Sequence, residues 1–208
     1  MLRVSLGLVT TLHIQTETAP VTVFLPDLPQ MSHEEFLRFC QANEPLRIER
    51  AATGEVEIMP PAFSDTGNRN FNLALQLGIW TEQDGTGLGF DSSAGFTLPN
   101  GAMRSPDASW IRRTKWDRLS EDEKASFAPI CPDFVVELRS KSDALTTLQA
   151  KMQDYVDNGV SLAWLIDRQQ RRVWIYRSQQ TPQCLENPVQ VSGEPELPGF
   201  RLTMDRIW

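Results

Sequence analysis

The residues in this chain that could do chemistry are carboxylates placed at or inside apolar strands. Glu137 lies in the middle of the otherwise apolar stretch DFVVELRS, residues 133–140. Burying an unpaired carboxylate costs several kcal/mol, so a carboxylate in a core strand needs a partner. A structural ion pair and a metal ion are the two candidate partners. A second carboxylate, Asp107, opens another apolar stretch, DASWI.

Strand geometry decides which aspartate can share a metal ion with Glu137. Asp133 and Glu137 are on the same face of one strand, but four residues at about 3.3 Å per residue separate them by roughly 13 Å. Oxygen ligands lie about 2.0 to 2.6 Å from a metal ion, so these two carboxylates cannot share one. A neighbouring antiparallel strand would instead bring Asp107 within about 5 Å of its cross-strand partner. Asp107 and Glu137 therefore converge if their two strands pair.

Two convergent carboxylates form a hard, oxygen-rich site. Such a site suits Mg²⁺ or Mn²⁺ and suits zinc poorly. The alternative left open by the sequence is a purely structural ion pair, from Glu137 to Arg104, Arg139 or Lys151.

Hydrophobic spacing, capping boxes and turn residues predict the elements that position these carboxylates. Apolar residues at helical spacing, among them Phe71, Leu75 and Ile79, predict a first long helix that begins at residue 65 or 68 and ends at residue 82. A second long helix is predicted within 142–159, and short helices are expected after the capping boxes Ser32/Glu35 and Ser120/Glu123. Strands are predicted near 46–51 and 55–59 as a hairpin, and near 87–91, 94–98, 106–112, 133–140, 161–167 and 171–177.

Length and composition set the scale of the fold. The 208 residues, 40% apolar and 23% charged, are enough for one substantial core. We expect one domain at 31–208, preceded by an N-terminal extension at 1–30 that contributes strands packed on the core. Strands and helices alternate along the chain, which predicts an α/β (α+β) fold with a central mixed sheet flanked by helices.

Composition also excludes several classes of protein. With only two histidines, His13 and His33, the chain cannot form a multi-histidine zinc site. Its three cysteines are far apart and odd in number, which argues against a disulfide framework. No apolar run approaches the roughly 20 residues that span a bilayer, so we expect a cytoplasmic protein with no membrane partner. The net charge of −7 is unusual for a protein that binds nucleic acid, although basic residues cluster in WIRRTKWDR and DRQQRRVWIYR.

Several short motifs, taken together in their order and spacing, resemble a known family. RSPDASW, CPDFVVELRSKSD, LTTLQAKMQDYVDNGVSLAWLID and RRVWIYR are similar to the Uma-type restriction endonuclease family. This family is a branch of the PD-(D/E)xK nuclease superfamily and is abundant in cyanobacteria. The resemblance implies a restriction-endonuclease-like core with a metal ion held by Asp107 and Glu137.

The resemblance also assigns the basic residue of the site. In the superfamily a lysine follows the glutamate by two positions, and here that position is Arg139, which cannot act as a base. Uma-type sequences carry the lysine on the following helix instead, where Lys151 matches. Glu49 in the hairpin matches a family glutamate, and Gln149 flanks Lys151. We therefore expect Lys151 to be catalytic and regard Glu49, Arg139 and Gln149 as possible additional site residues.

These residues lead to one preferred function and two alternatives. The preferred hypothesis is a Mg²⁺- or Mn²⁺-dependent endonuclease that hydrolyses phosphodiester bonds in DNA, with Asp107, Glu137 and Lys151 as catalytic residues, in a homodimeric protein. The first alternative is an inactive nuclease fold that binds nucleic acid or protein. It is favoured by the negative net charge, by Arg139 at the position of the superfamily lysine, and by the lack of a family histidine near Thr66. The second alternative is a small-molecule hydrolase, which would need a deep apolar pocket.

Overall fold

The computed structural model describes residues 21–23, 31–43, 46–59, 62–141 and 143–208. Its helices are α1 (His33–Ala42), α2 (Ser64–Asp84), α3 (Arg113–Trp116), α4 (Glu121–Lys124) and α5 (Leu145–Asp157). Its strands are β1 (Val21–Val23), β2 (Arg47–Arg50), β3 (Val56–Met59), β4 (Gly87–Asp91), β5 (Phe96–Thr97), β6 (Met103–Arg104), β7 (Ala108–Arg112), β8 (Phe134–Arg139), β9 (Leu162–Asp167), β10 (Arg172–Arg177), β11 (Gln183–Glu186), β12 (Gln190–Ser192) and β13 (Arg201–Thr203).

The central sheet is mixed and has the strand order β11-β10-β9-β8-β7-β4. β8 and β9 are parallel, whereas the other neighbours are antiparallel. Two parallel neighbours need a crossover connection, and α5 lies in the connection from β8 to β9. The observed sheet with helices on its two faces agrees with the predicted α/β architecture.

The two long helices cover opposite faces of the central sheet. Phe134 and Val136 of β8 pack in the same core cluster as Leu73 and Leu77 of α2. Val135, between them in sequence, packs in a second cluster with residues of α5. Because successive strand side chains point to opposite faces, Glu137 belongs to the α5 side. This alternation is the one predicted from the sequence of β8.

A second sheet, of order β1-β3-β2-β6-β5, lies beside the first and carries the hairpin β2–β3. Phe36 of α1 is fully buried against the hairpin residues Ile48 and Val56. From β6 the chain continues directly into β7 of the central sheet. This junction brings β2 of the second sheet next to the start of β7 and the end of β8, where the carboxylates lie.

Most predicted elements are present, with differences at their ends. Both capping boxes form, at Ser32 and at Ser120. α2 starts earlier than predicted, at Ser64, and its end is marked by Gly85 with φ 69°, a left-handed conformation that favours glycine. The predicted strand 94–98 shortens to β5, and α3 and β6 were not predicted.

The expected N-terminal extension lies largely outside the described residues. Only Val21–Val23 of residues 1–30 are described as part of it, and their backbone pairs antiparallel with β3. Among the helices of the described residues, none combines the length and the apolar character required to cross a membrane.

Candidate active site

Glu49 on β2 is fully buried and is surrounded by cations. Lys151 Nζ lies 2.9 Å from Glu49 Oε2, and Arg104 Nη1 lies 3.5 Å from the same oxygen. Arg47 Nη2 lies 3.7 Å from Oε1, which also accepts the backbone N–H of Ser105 at 3.1 Å. Burial by itself raises the pKa of Glu49, but the three cations outweigh it and hold the pKa below its ordinary value. Glu49 is therefore ionised at neutral pH.

Glu137 on β8 is 5% exposed and shares Lys151 with Glu49. Lys151 Nζ lies 2.9 Å from Glu137 Oε1, and the Tyr155 hydroxyl donates a hydrogen bond of 2.9 Å to the same oxygen. Lys151 and Tyr155 are four residues apart on α5, so their side chains leave the same face of the helix. One turn of α5 thus supplies both polar partners of Glu137.

Burial has opposite effects on the two members of this ion pair. It raises the pKa of Glu137 to about 7, because Lys151 only partly offsets the loss of water and Asp107 and Glu49 add negative charge. Burial by itself lowers the pKa of Lys151. The carboxylates of Glu137 and Glu49 outweigh this effect, so the pKa of Lys151 is above its ordinary value. Lys151 therefore remains an ammonium cation, and Glu137 is the group that titrates near neutrality.

The raised pKa of Glu137 predicts a pH-dependent stability of the metal-free protein. A carboxyl with a higher pKa in the folded state binds more protons when folded, so stability is lost as pH rises from about 4.5 to about 7. In the presence of a chelator, we expect the unfolding midpoint to fall over this range and to fall less in Glu137→Gln. Thermal unfolding followed by circular dichroism would measure the midpoint at each pH. The same decrease of the midpoint with pH in the wild-type protein and in Glu137→Gln would contradict the prediction.

Asp107 is 8% exposed and lies immediately before β7. Ala108 pairs with Val136, so one further step along this antiparallel ladder sets Asp107 opposite Glu137. Asp107 Oδ2 accepts the backbone N–H of Leu138 at 2.8 Å, which ties the aspartate to β8.

Two side chains hold the other oxygen of Asp107. Arg47 Nη1 and Asn70 Nδ2 each lie 3.2 Å from Asp107 Oδ1. Arg47 also donates to the carbonyl of Ser105. Since Arg47 contacts both Asp107 and Glu49, it links the hairpin to the central sheet.

The structure brings four predicted site residues together, and we call them the carboxylate–lysine cluster: Glu49, Asp107, Glu137 and Lys151. It also contains the structural ion pair that the sequence left open, because Lys151 is the ionic partner of Glu137. The cluster is thus compatible both with a metal site and with a closed set of ion pairs.

The other predicted residues lie outside the carboxylate–lysine cluster. Arg139 Nη1 is 2.6 Å from Asp167 Oδ2, a fully buried carboxylate at the end of β9. Gln149 is half-buried on α5 and makes no hydrogen bond to the cluster. Asp133 lies at the opposite end of β8, where its Oδ2 accepts the backbone N–H of Arg112, as expected for a strand-start residue.

Three residues of the site were not identified from the sequence: Arg47, Asn70 and Tyr155. Tyr155 lies within the predicted second long helix, and its position four residues after Lys151 is a signal that places both side chains on one face. Arg47 precedes Glu49 by two residues and therefore shares its strand face. Asn70 carried no local signal, because its contact with Asp107 depends on how α2 packs across the sheet.

The donor atoms of the site fit a hard cation. The hydrogen bond from Tyr155 and the 2.9 Å contact with Lys151 both involve Oε1 of Glu137, whose carboxylate has a second oxygen to offer a cation. Asn70 Oδ1, next to Asp107, is buried and lacks a hydrogen-bond partner among the described residues. These are oxygen donors of the kind that Mg²⁺ and Mn²⁺ prefer. The described residues contain no group of three or more His, Cys, Asp and Glu side chains placed to hold a metal ion, so a bound ion would depend on two carboxylates, further oxygens and water.

Comparison with known proteins gives three results. The model of a family named Uma2, described as "Putative restriction endonuclease", matches residues 33–205. Among solved structures, a crystal structure titled "a putative nuclease belonging to DUF820" from Anabaena variabilis superposes with a TM-score of 0.66 and 18% identity. The match covers 79% of this chain and 90% of that one, and it shows that the two share a fold. No curated protein matches the sequence.

Proposed function

The chain belongs to the Uma2 restriction endonuclease family, and from this premise we propose that it is a nuclease that hydrolyses phosphodiester bonds of DNA with Mg²⁺ or Mn²⁺. The predicted restriction-endonuclease-like architecture is confirmed by the shared fold. The proposal extends the family assignment to a metal, a substrate and named residues.

One observation carries the proposal: Asp107 and Glu137 face each other on paired strands, with an ammonium group in contact with Glu137. A site for metal-dependent phosphodiester hydrolysis needs negative ligands for the cation, and a positive group can stabilise charge on the phosphate. Both are found within one cluster, in which Asp107 is 8% and Glu137 5% exposed.

Each side chain has a distinct role in this proposal. Asp107 and Glu137 would hold the cation, which would supply activation of a water molecule and offset negative charge on the scissile phosphate. Lys151 remains charged between Glu49 and Glu137 and stabilises the negative charge that develops on the phosphate oxygens. Tyr155 and Arg47 are positioning residues, because they orient Glu137 and Asp107 through the hydrogen bonds described above.

Calorimetric titration with Mn²⁺ tests the metal site without requiring a substrate. We expect the wild-type protein to bind Mn²⁺ and Asp107→Asn to bind it at least about tenfold more weakly, because one of two carboxylate ligands is lost. Asp133→Asn is the matched control, because Asp133, like Asp107, directly follows a proline, and this variant should bind Mn²⁺ normally. Equal affinity in the Asp107→Asn and wild-type proteins would contradict the assignment.

A non-catalytic nuclease fold is the second candidate function. It is favoured by the fact that the polar groups of the carboxylate–lysine cluster largely satisfy one another: Lys151 neutralises Glu137 and Glu49, and Arg47 neutralises Asp107. The net charge of −7 also opposes tight binding of DNA. An absence of carboxylate-dependent Mn²⁺ binding would favour this function over the first.

A further inference from the structure

Helix α2 carries a row of apolar side chains on the side that faces away from the core. Phe71, Leu75 and Ile79 are 63%, 42% and 52% exposed and follow one another every four residues. We call this row the outer stripe of α2. Single exposed apolar residues are ordinary, whereas a contiguous patch marks an interaction surface. The opposite face of the same helix is buried against the central sheet.

We propose that the outer stripe of α2 binds the same stripe of a second copy of this chain, with the two helices antiparallel about a twofold axis beside Leu75. A twofold interface joins one surface patch to itself, so the patch must be self-complementary. At 100° and 1.5 Å per residue, Phe71 and Ile79 lie about 40° to either side of Leu75 and about 6 Å below and above it. The axis therefore sets Phe71 beside Ile79 of the partner subunit.

The surface next to the stripe has room for the partner's Phe71. Around the circumference of α2, Gly78 lies about 60° from Leu75, on the same side as Phe71. Rotation about the twofold axis therefore places the ring of the partner's Phe71 over Gly78. A Cβ atom added at Gly78 would meet nothing within 4 Å. A cavity of about 460 Å³ beside it is lined by α2 and β4, including Ala74, Thr81 and Phe90. The protruding ring and the open space are thus placed to interlock.

The polar ends of the stripe favour the antiparallel arrangement. Asn68 lies seven residues before Leu75 and Glu82 seven residues after it. Each is therefore about 10 Å from Leu75 along the helix axis, at opposite ends of the stripe, and about 20° from it around the helix. The axis therefore brings Glu82 against Asn68 of the partner subunit. Asn68 accepts from Asn72 through Oδ1, which leaves its amide N–H groups to donate to the carboxylate. A parallel pair would instead oppose two Glu82 side chains.

The size of the stripe and its position on α2 also fit a dimer. Its three side chains expose on the order of 300 Å² of apolar surface, the size of the largest apolar patch on a typical monomer, and such patches are often functional. A standard interface buries about 800 Å² per partner, so the stripe would form its apolar centre and the polar residues around the stripe would form its rim. Asn70, which contacts Asp107, lies about 140° around α2 from Leu75, so the interface leaves the carboxylate–lysine cluster uncovered.

Sedimentation of the full chain at about 50 µM tests the dimer. We expect the wild-type protein to sediment as a dimer and Leu75→Glu to weaken association at least about 30-fold, because a charge would be buried at the centre of the interface. Val189→Glu is the matched control, since Val189 is 83% exposed and lies outside the stripe. It should remain dimeric, and circular dichroism should show all three proteins folded.

A cysteine cross-link tests the position of the axis. Leu75→Cys in a Cys184→Ser background should form a disulfide between subunits on mild oxidation, whereas Val189→Cys in the same background should not. The proposal is overturned if the wild-type protein stays monomeric up to about 100 µM, or if Leu75→Glu remains dimeric. It is also overturned if the thiol introduced at position 75 resists maleimide in a monomer, since another part of the same chain would then cover the stripe.

Discussion

We expect Asp107→Asn and Glu137→Gln each to abolish Mn²⁺-dependent cleavage of plasmid DNA, with losses of at least about 100-fold. Both exchanges preserve the shape of the side chain and remove the negative charge that would hold the cation. The glutamine can still accept hydrogen bonds from Tyr155 and Lys151 through Oε1, so the fold should survive. Conversion of supercoiled plasmid to nicked and linear forms measures the loss.

Asp133→Asn is the control for this experiment. Asp133 also follows a proline and also lies at the edge of a core strand, but its carboxylate accepts the N–H of Arg112 at the far end of β8. Its exchange should leave cleavage intact. Cleavage by Asp107→Asn or Glu137→Gln at the wild-type rate would refute the metal site proposed here.

The second large effect is expected at Lys151, where Lys151→Met should reduce both stability and cleavage. Lys151 is the nearest cation to two buried carboxylates, Glu49 and Glu137. Breaking a buried ion pair leaves an uncompensated charge and costs about 3 kcal/mol or more. Cleavage should fall by at least about 100-fold, because the ammonium group that stabilises charge on the phosphate is lost. Denaturant unfolding and the plasmid assay measure the two effects separately.

A double variant separates the structural from the catalytic role of Lys151. Glu49→Gln combined with Lys151→Met removes one buried negative charge together with the cation, so we expect much of the lost stability to return. Cleavage should stay as low as in Lys151→Met alone. If cleavage recovers along with stability, Lys151 acts only by supporting the fold.

The position of Lys151 also explains how the site could work without the lysine of the superfamily pattern. Arg139 occupies that position, but its guanidinium is bound to Asp167 and to the carbonyl of Asp143. Residues two apart on a strand are separated by about 7 Å along it, so Arg139 and Glu137 contact different partners. Lys151 approaches Glu137 from the helix that covers this face, which restores a cation beside the glutamate.

Much of this arrangement was determined by local sequence. The alternation of β8 fixed the face of Glu137, and the capping boxes fixed the starts of α1 and α4. Strand rise excluded Asp133 as a partner of Glu137, whereas Asp107 was indicated on the condition that its strand pairs with β8, and the family resemblance implied the same aspartate. Local geometry sufficed for these predictions, because each involves residues within one element or on adjacent strands.

Only the tertiary structure decided how distant residues contact one another at the site and which helix face is covered. Glu49 and Lys151 are 102 positions apart, and they meet because the hairpin sheet joins the central sheet beside α5. The periodicity of Phe71, Leu75 and Ile79 predicted the helix α2, but the core is formed by its other apolar face. A helical period shows that apolar residues share a side of the helix, whereas the packing of the other elements determines which side loses contact with water.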